Sequence, residues 1–166
     1  LQPEVFGILI TVTLSFMMGF ADDMLNTPPW FKFFFQFLAA VILIYTGIYI
    51  NMFSARWMDY LLTVFWVVGI MNSVNMLDNM DAITTLVSIT IFIGAAIVLF
   101  ILMPFNGVLL IVVLGALASL LSFLYYNWNP SKMYMGDNGS QFLGVLLAII
   151  GIQVFWNGVE MPSHNN

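Results

Sequence analysis

Long apolar runs separated by short polar interruptions set the pattern of this chain. Six runs, residues 5–20, 31–50, 60–76, 82–103, 107–126 and 140–156, carry no charge except Lys32 at the start of the second. About 20 apolar residues carry a helix across a bilayer, so each run predicts a transmembrane helix. Residues that break helical periodicity fall between the runs: Thr27-Pro28-Pro29, Pro104-Phe105-Asn106-Gly107, residues 127–130 and Gly136-Asp137-Asn138-Gly139. The expected fold is all-α, a polytopic integral membrane protein with about six transmembrane helices. The chain reads as one helical transmembrane domain over residues 1–166 and as an incomplete part of a longer protein.

Composition agrees. Of 166 residues, 62% are hydrophobic and 7% charged, against roughly half and a quarter in soluble domains. The absence of cysteine excludes a disulfide framework and a thiolate metal site. No nucleic-acid partner is expected of a chain with three basic residues and eight acidic ones.

Six crossings alternate in direction, and this parity sorts the charges. Asp22, Asp23, Lys32, Asp78, Asp81, Lys132 and Asp137 fall on one face of the membrane; Glu4, Arg56, Asp59 and Glu160 fall on the other. Five acids against two lysines leave the first face with a local charge of −3. The preference of Lys and Arg for the inner side puts this acidic face in the cytoplasm. Trp30 and Trp128 on it, and Trp57 and Trp156 opposite, stand where interfacial indoles belong, while Trp66 reads as packed or lipid-facing.

Ionisable groups at the edge of hydrocarbon point to function. Adjacent Asp22 and Asp23 in "FADDML" read as a solvated loop or as oxygen donors for Mg²⁺. In "NSVNMLDNMDAI", Asn72, Asn75, Asp78 and Asp81 recur every third residue, and such steps turn about 300° on a helix. The ladder therefore winds around the cylinder unless the third helix tightens or ends near Asn75. Asp81 has a second reading, as an N-cap of the fourth helix. In "YMGDNGSQFLG", Asn138 or Ser140 can cap the sixth helix, whose N-terminus attracts phosphate. Ser140, Gly144 and Ala148 form a small-residue face for close helix approach. A face of charge −3 points to metal plus phosphate, or to cation transport. His164 lies near the end of the chain, on the opposite face.

Taken together and in this order, "GFADDMLN", "NSVNMLDNMDA" and "MYMGDNGSQFLG" give the chain a resemblance to the polyprenyl-phosphate sugar-phosphate transferases. These membrane enzymes include the bacterial undecaprenyl-phosphate N-acetylglucosamine-1-phosphate transferases and phospho-N-acetylmuramoyl-pentapeptide transferase. The resemblance covers nearly the whole chain. It implies Mg²⁺-dependent transfer of a sugar phosphate, N-acetylglucosamine-1-phosphate by preference, from a UDP-sugar to a polyprenyl phosphate, with release of UMP. The setting it implies is the bacterial inner membrane and cell-envelope polysaccharide synthesis. Mn²⁺ is an alternative ion, transfer of phospho-N-acetylmuramoyl-pentapeptide an alternative reaction, and a homodimer a compatible assembly.

Residue by residue, the resemblance makes Asp22, Asp23 and Asp78 catalytic candidates, with Asp22 preferred for deprotonating the lipid phosphate. It makes Asp137 the principal Mg²⁺ ligand, joined by Asp22 and Asp23. Asn72, Asn75, Asp78 and Asp81 match a ladder on the nucleotide side, Tyr134 an aromatic near the uracil, and Lys32 a basic residue suited to a phosphate or to charge balance. The family's usual Asp-Gly-Leu-Asp-Gly is here Asp-Asn-Met-Asp-Ala, with Asn79 and Ala82 in place of glycines. His164 does not match the family's later histidine-bearing loop, and these 166 residues alone are expected to be inactive. A cation channel or carrier, and an inactive truncated remnant, stand as alternatives.

Overall fold

The computed structural model describes residues 3–102 and 107–158. Among them run six α-helices: α1 (Pro3–Leu25), α2 (Pro29–Tyr45), α3 (Arg56–Leu77), α4 (Ile83–Leu102), α5 (Gly107–Asn127) and α6 (Gly136–Ile150), the last continuing as a π-helix over Gly151–Trp156. No strand occurs among the described residues. Five of the helices are long and apolar enough to cross a membrane, and α2, at 17 residues, is a shorter apolar helix. The expected Pro104 turn and His164 lie outside the described residues.

Burial in lipid rewards apolar surface on every side, so these helices are apolar nearly all round, and packing is decided by small residues. α6 is the central helix, flanked by α1 and α3; α2 leans on both flanks, and α4 pairs with α5. Gly144 lets α3 approach so closely that a Cβ there would stand 2.8 Å from the Met71 Cα. That is the small-residue face expected on the sixth helix. Gly7, Thr11, Ser15 and Gly19 make a second, buried stripe on α1. Trp66 is packed: its Nε1–H donates to the Ala148 carbonyl at 3.1 Å, and its ring meets Trp156 edge-on. One core joins Phe92, Leu99, Val113 and Leu147 of α4, α5 and α6. A second joins Leu43, Val67, Met71 and Ile149 of α2, α3 and α6.

Several boundaries differ from the hydropathy reading: α3 and α6 each start four residues early, and the ends of the first two runs shift as well. The second run ends as a helix at Tyr45, five residues early, because Gly47 takes a φ of +94° and turns the chain back. Ile48 and Ile50 then pack into the core as extended backbone, held by Thr63 Oγ1, which accepts from the Ile50 N–H, and by buried Asp59, which accepts from Met52 and Phe53. The first run, in contrast, continues as helix through the aspartate pair to Leu25.

Candidate active site

Parity does bring the charges together. The C-terminal ends of α1 and α3 and the N-terminal ends of α2 and α6 meet at one end of the bundle, and the Lys32 ammonium pairs there with both Asp22 and Asp137, reaching Asp137 Oδ2 at 3.0 Å. Asn75 donates to Asp137 Oδ1 and also to Ser140 Oγ at 2.9 Å. Three helices thus meet at the Asp137 carboxylate, and Asp22 of α1 joins them through Lys32.

Asp22 is not in a solvated loop. It lies in the last turn of α1, 4% exposed, and besides Lys32 it accepts from the Thr27 N–H at 2.9 Å and from the Thr27 hydroxyl. Its oxygens are committed to closing the α1–α2 turn. Asp23 faces the other way: Oδ1 accepts from the Asp137 N–H at 2.9 Å and Oδ2 from the Asn138 N–H at 3.0 Å. A carboxylate from α1 therefore satisfies the orphan amides of α6, where it also complements the helix dipole. This corrects the expectation that Asn138 or Ser140 caps that helix. α6 begins at Gly136, so both residues fall inside its first two turns.

The asparagine–aspartate ladder winds, as its three-residue step requires. α3 stays helical to Leu77 and Asp78 terminates it, so the helix ends within two residues of Asn75, one of the two alternatives the ladder's spacing left open. Asn72 pairs with Gln36, Asn75 with Asp137, and Asp78 takes a hydrogen bond from the Gly136 N–H. Asp81 turns away from this cluster and accepts from Asn129 Nδ2 and the Ser131 N–H, bracing the α5–α6 connection. It does not cap α4. Buried Asn127 instead ties the start of α4 to α5, accepting from the Ala82 N–H and Thr85 Oγ1 while donating to the Met133 carbonyl. Tyr134 is exposed, on the rim of an apolar groove between α1, α5 and α6.

Electrostatically, Asp78 carries the strain of this assembly. Burial pushes its carboxyl up to about 6, the Gly136 N–H opposes the rise, and the charges of Asp137 and Asp23 add to it. Among the described residues no three acidic or histidine side chains gather as a metal cage. Of the three carboxylates expected around one ion, Asp22 and Asp137 share the Lys32 ammonium, while the Asp23 oxygens take the Asp137 and Asn138 amides of α6. Asp137 is paired with Lys32, and Asp78 is left facing the negative charges of Asp137 and Asp23 without a cation of its own.

Motif order, membrane face and this geometry agree with a match to the family model described as glycosyl transferase family 4, over residues 5–155. The chain belongs to that family. A probable undecaprenyl-phosphate N-acetylglucosaminyl 1-phosphate transferase of Bacillus subtilis is 31% identical over 98% of this chain and 47% of its own length. Phospho-N-acetylmuramoyl-pentapeptide-transferases of Streptococcus agalactiae (31% identical, 89% of this chain, 48% of theirs) and Kosmotoga olearia (34%, 96% and 54%) are also similar. The chain spans about half the length of the curated relatives it matches.

Within this glycosyl transferase family 4 chain, the residues that sequence reading missed are buried amides that tie the helices together around the charged groups. Gln36, Gln141 and Asn127 are buried amides inside apolar runs or at their ends, and their polarity in that context was the available signal. Gly19 was legible only as one step of the Gly7-Thr11-Ser15-Gly19 stripe.

Proposed function

We infer that the complete protein carrying this chain is a phosphoglycosyl transferase of a bacterial membrane, acting at the cytoplasmic face. A phosphate oxygen of a polyprenyl phosphate attacks the β-phosphorus of a UDP-sugar, the bond from that phosphorus to the bridging oxygen breaks, and UMP leaves with the electron pair. N-acetylglucosamine-1-phosphate is the group favoured by the Bacillus relative's name, and phospho-N-acetylmuramoyl-pentapeptide is the second reading, from the streptococcal names.

The observation that carries this reading is the convergence of Lys32, Asp78 and Asp137 at one end of the bundle beside an apolar groove. The groove, about 610 Å³, is lined by Leu9 and Val12 of α1, Gly115 and Ala116 of α5 and Phe142 of α6, with Tyr134 and Gly139 at the charged end. An isoprenoid chain fits such a wall, with its phosphate at the polar mouth.

Mg²⁺ takes one or two carboxylates together with substrate phosphates and water, and the negative charge gathered around Asp78 by Asp137 and Asp23 suits it. Asp137 would hold the ion, with Asp78 beside it. Bound there, Mg²⁺ supplies neutralisation of the diphosphate and of the charge growing on UMP. Lys32, kept in place by Asp22, presents its ammonium to a phosphate oxygen. Asp78 accepts from a single backbone N–H, that of Gly136, whereas Asp22, Asp23 and Asp137 each engage two or more partners, which leaves Asp78 free to accept the proton of the lipid phosphate. Asp22, preferred on sequence, is locked by Lys32 and Thr27.

The test is exchange of labelled UMP into UDP-N-acetylglucosamine and into UDP-N-acetylmuramoyl-pentapeptide, in membranes containing the complete protein and polyprenyl phosphate. Mg²⁺-dependent exchange with one of them is expected. No exchange with either, or cation flux without any nucleotide, overturns the reading.

A further inference from the structure

Gln36 and Gln141 take no part in the chemistry above, yet both are fully buried inside the apolar bundle. Amides in such surroundings are costly unless paired. Gln36 Nε2 donates to Gln141 Oε1 at 3.2 Å, and Gln36 Oε1 accepts from Asn72 Nδ2 at 2.8 Å. Their places along the helices repeat those of the charged site. Gln36 follows Lys32 by four residues on α2, Gln141 follows Asp137 by four on α6, and Asn72 precedes Asn75 by three on α3. Residues three or four apart share a helix face. The Lys32–Asp137–Asn75 contact is therefore duplicated one turn deeper, on the same three helices, by Gln36–Gln141–Asn72.

Stability alone does not account for the duplicate. Gln141 Nε2 is buried with no hydrogen-bond partner among the described residues, a feature that calls for its own explanation in a native structure. Apolar contacts in a bundle are non-directional and leave a helix free to rotate by small angles. Hydrogen bonds between amides on three helices are directional and remove that freedom. The geometry points to a positioning platform: Gln36, Gln141 and Asn72 fix the rotational register of α2, α6 and α3, and so hold Lys32 and Asn75 against Asp137. This rests on the transferase reading for its effect on rate, but not for its effect on geometry. Misplacing reacting groups by about 1 Å costs on the order of 100-fold in rate, which is what the deeper tier prevents.

Because these 166 residues hold no cysteine, register can be read without activity once any cysteine elsewhere in the complete protein is replaced by serine. In the complete protein, Lys32→Cys with Asp137→Cys is treated with a short bifunctional thiosulfonate, in the native background and with Gln36→Met or Gln141→Met added. The same Met variants, without the cysteines, are assayed for exchange. Either Met variant is expected to slow cross-linking, to lower kcat about 10–100-fold and to raise the Mg²⁺ concentration for half-maximal rate. KM for the UDP-sugar should move by less than about two-fold, as for an interaction that acts on the transition state. Thr63→Val, equally buried but bonded to the Ile50 N–H, should lower thermal stability without moving either readout. Should Gln36→Met fail to fold, Gln141→Met carries the same test. Unchanged cross-linking in a folded Met variant overturns the platform. Slowed cross-linking in a protein that shows no exchange upholds it while the transferase reading fails.

Discussion

Gly19 of α1 lies against Asn138 of α6 so closely that a Cβ on Gly19 would stand 2.5 Å from the Asn138 Cα, and equally close to the Asp137 carbonyl oxygen. Both obstacles are backbone, so no side chain can give way. Gly19→Ala must push the start of α6 outward, and with it the amides that Asp23 holds and the carboxylate that Lys32 reaches. Overpacking of this kind costs about 1–3 kcal/mol. The expected outcome is a lower melting temperature in detergent and at least a ten-fold loss of exchange; wild-type activity in the variant would show that the close approach does not set the site.

Asp23 is bound to two backbone N–H groups, so the cap and ligand roles separate by substitution. Asparagine keeps one acceptor oxygen and alanine none. Asp23→Ala should lose about 1–2 kcal/mol of stability, as the removal of a helix cap does, while Asp23→Asn should lose less and keep the larger share of exchange. If both variants are equally inactive at equal stability, the carboxylate acts through its charge and the cap is incidental.

Which helix ends share a face was legible in the sequence, and the partners across them were not. Parity alone put Asp22, Asp78 and Asp137 on one face, because six apolar runs must alternate in direction. The winding of Asn72, Asn75, Asp78 and Asp81 also followed from a three-residue step. Which atoms satisfy which was hidden, since Asp23 and the α6 amides are joined across more than a hundred residues. A loop reading of Asp22 and Asp23 was natural where Pro28 and Pro29 end the run, but the helix persists until the turn that Asp22 itself closes. Gly47 ended α2 early because its positive φ leaves no trace in hydropathy.

Ala82 occupies one of the two positions where the resemblance expects glycine, and the structure shows why glycine would suit it: its φ is +61°. For an L-residue with a Cβ the left-handed region costs roughly 1–2 kcal/mol. Part of the relief from Ala82→Gly is offset by the greater freedom of glycine in the unfolded chain, about 0.4–1 kcal/mol. A net gain of up to about 1 kcal/mol is expected by the same accounting, read as a higher melting temperature with exchange unchanged or raised. A lower melting temperature would mean that the Ala82 methyl, which is buried, contributes more by packing than the backbone loses by strain.

Asp78 gives the acidic end a pH dependence of definite sign. Its carboxyl is raised from 3.8 to about 6, so the folded protein binds this proton more tightly than the unfolded chain does. The stability difference is fully present below pH 3.8 and is lost as pH rises through about 6. Cation-free protein should therefore melt at a temperature that falls across this window, and Asp78→Asn should flatten that part of the profile. Asp78→Asn should also lower exchange about 10²–10⁴-fold, the usual worth of a positioned acid or base. An identical melting profile in the variant would assign the pH dependence to another group.

The apolar groove can be filled without disturbing the fold. Around Gly115 nothing lies within 4 Å of a built Cβ, and the residue lines the groove together with Val12 and Phe142. A phenylalanine there occupies volume that a lipid chain would need, and its Cβ has open space around it. Gly115→Phe is thus expected to raise KM for polyprenyl phosphate several-fold, leave KM for the UDP-sugar unchanged and keep the melting temperature, the pattern of lost binding at one substrate alone. Shortening the polyprenyl chain should reduce the difference between variant and wild type, because a tail that ends before Gly115 has nothing to lose there. If the variant instead raises KM for the nucleotide sugar, or acts equally on short and long lipids, the groove does not receive the isoprenoid chain and the lipid must approach Asp137 from another side of the bundle.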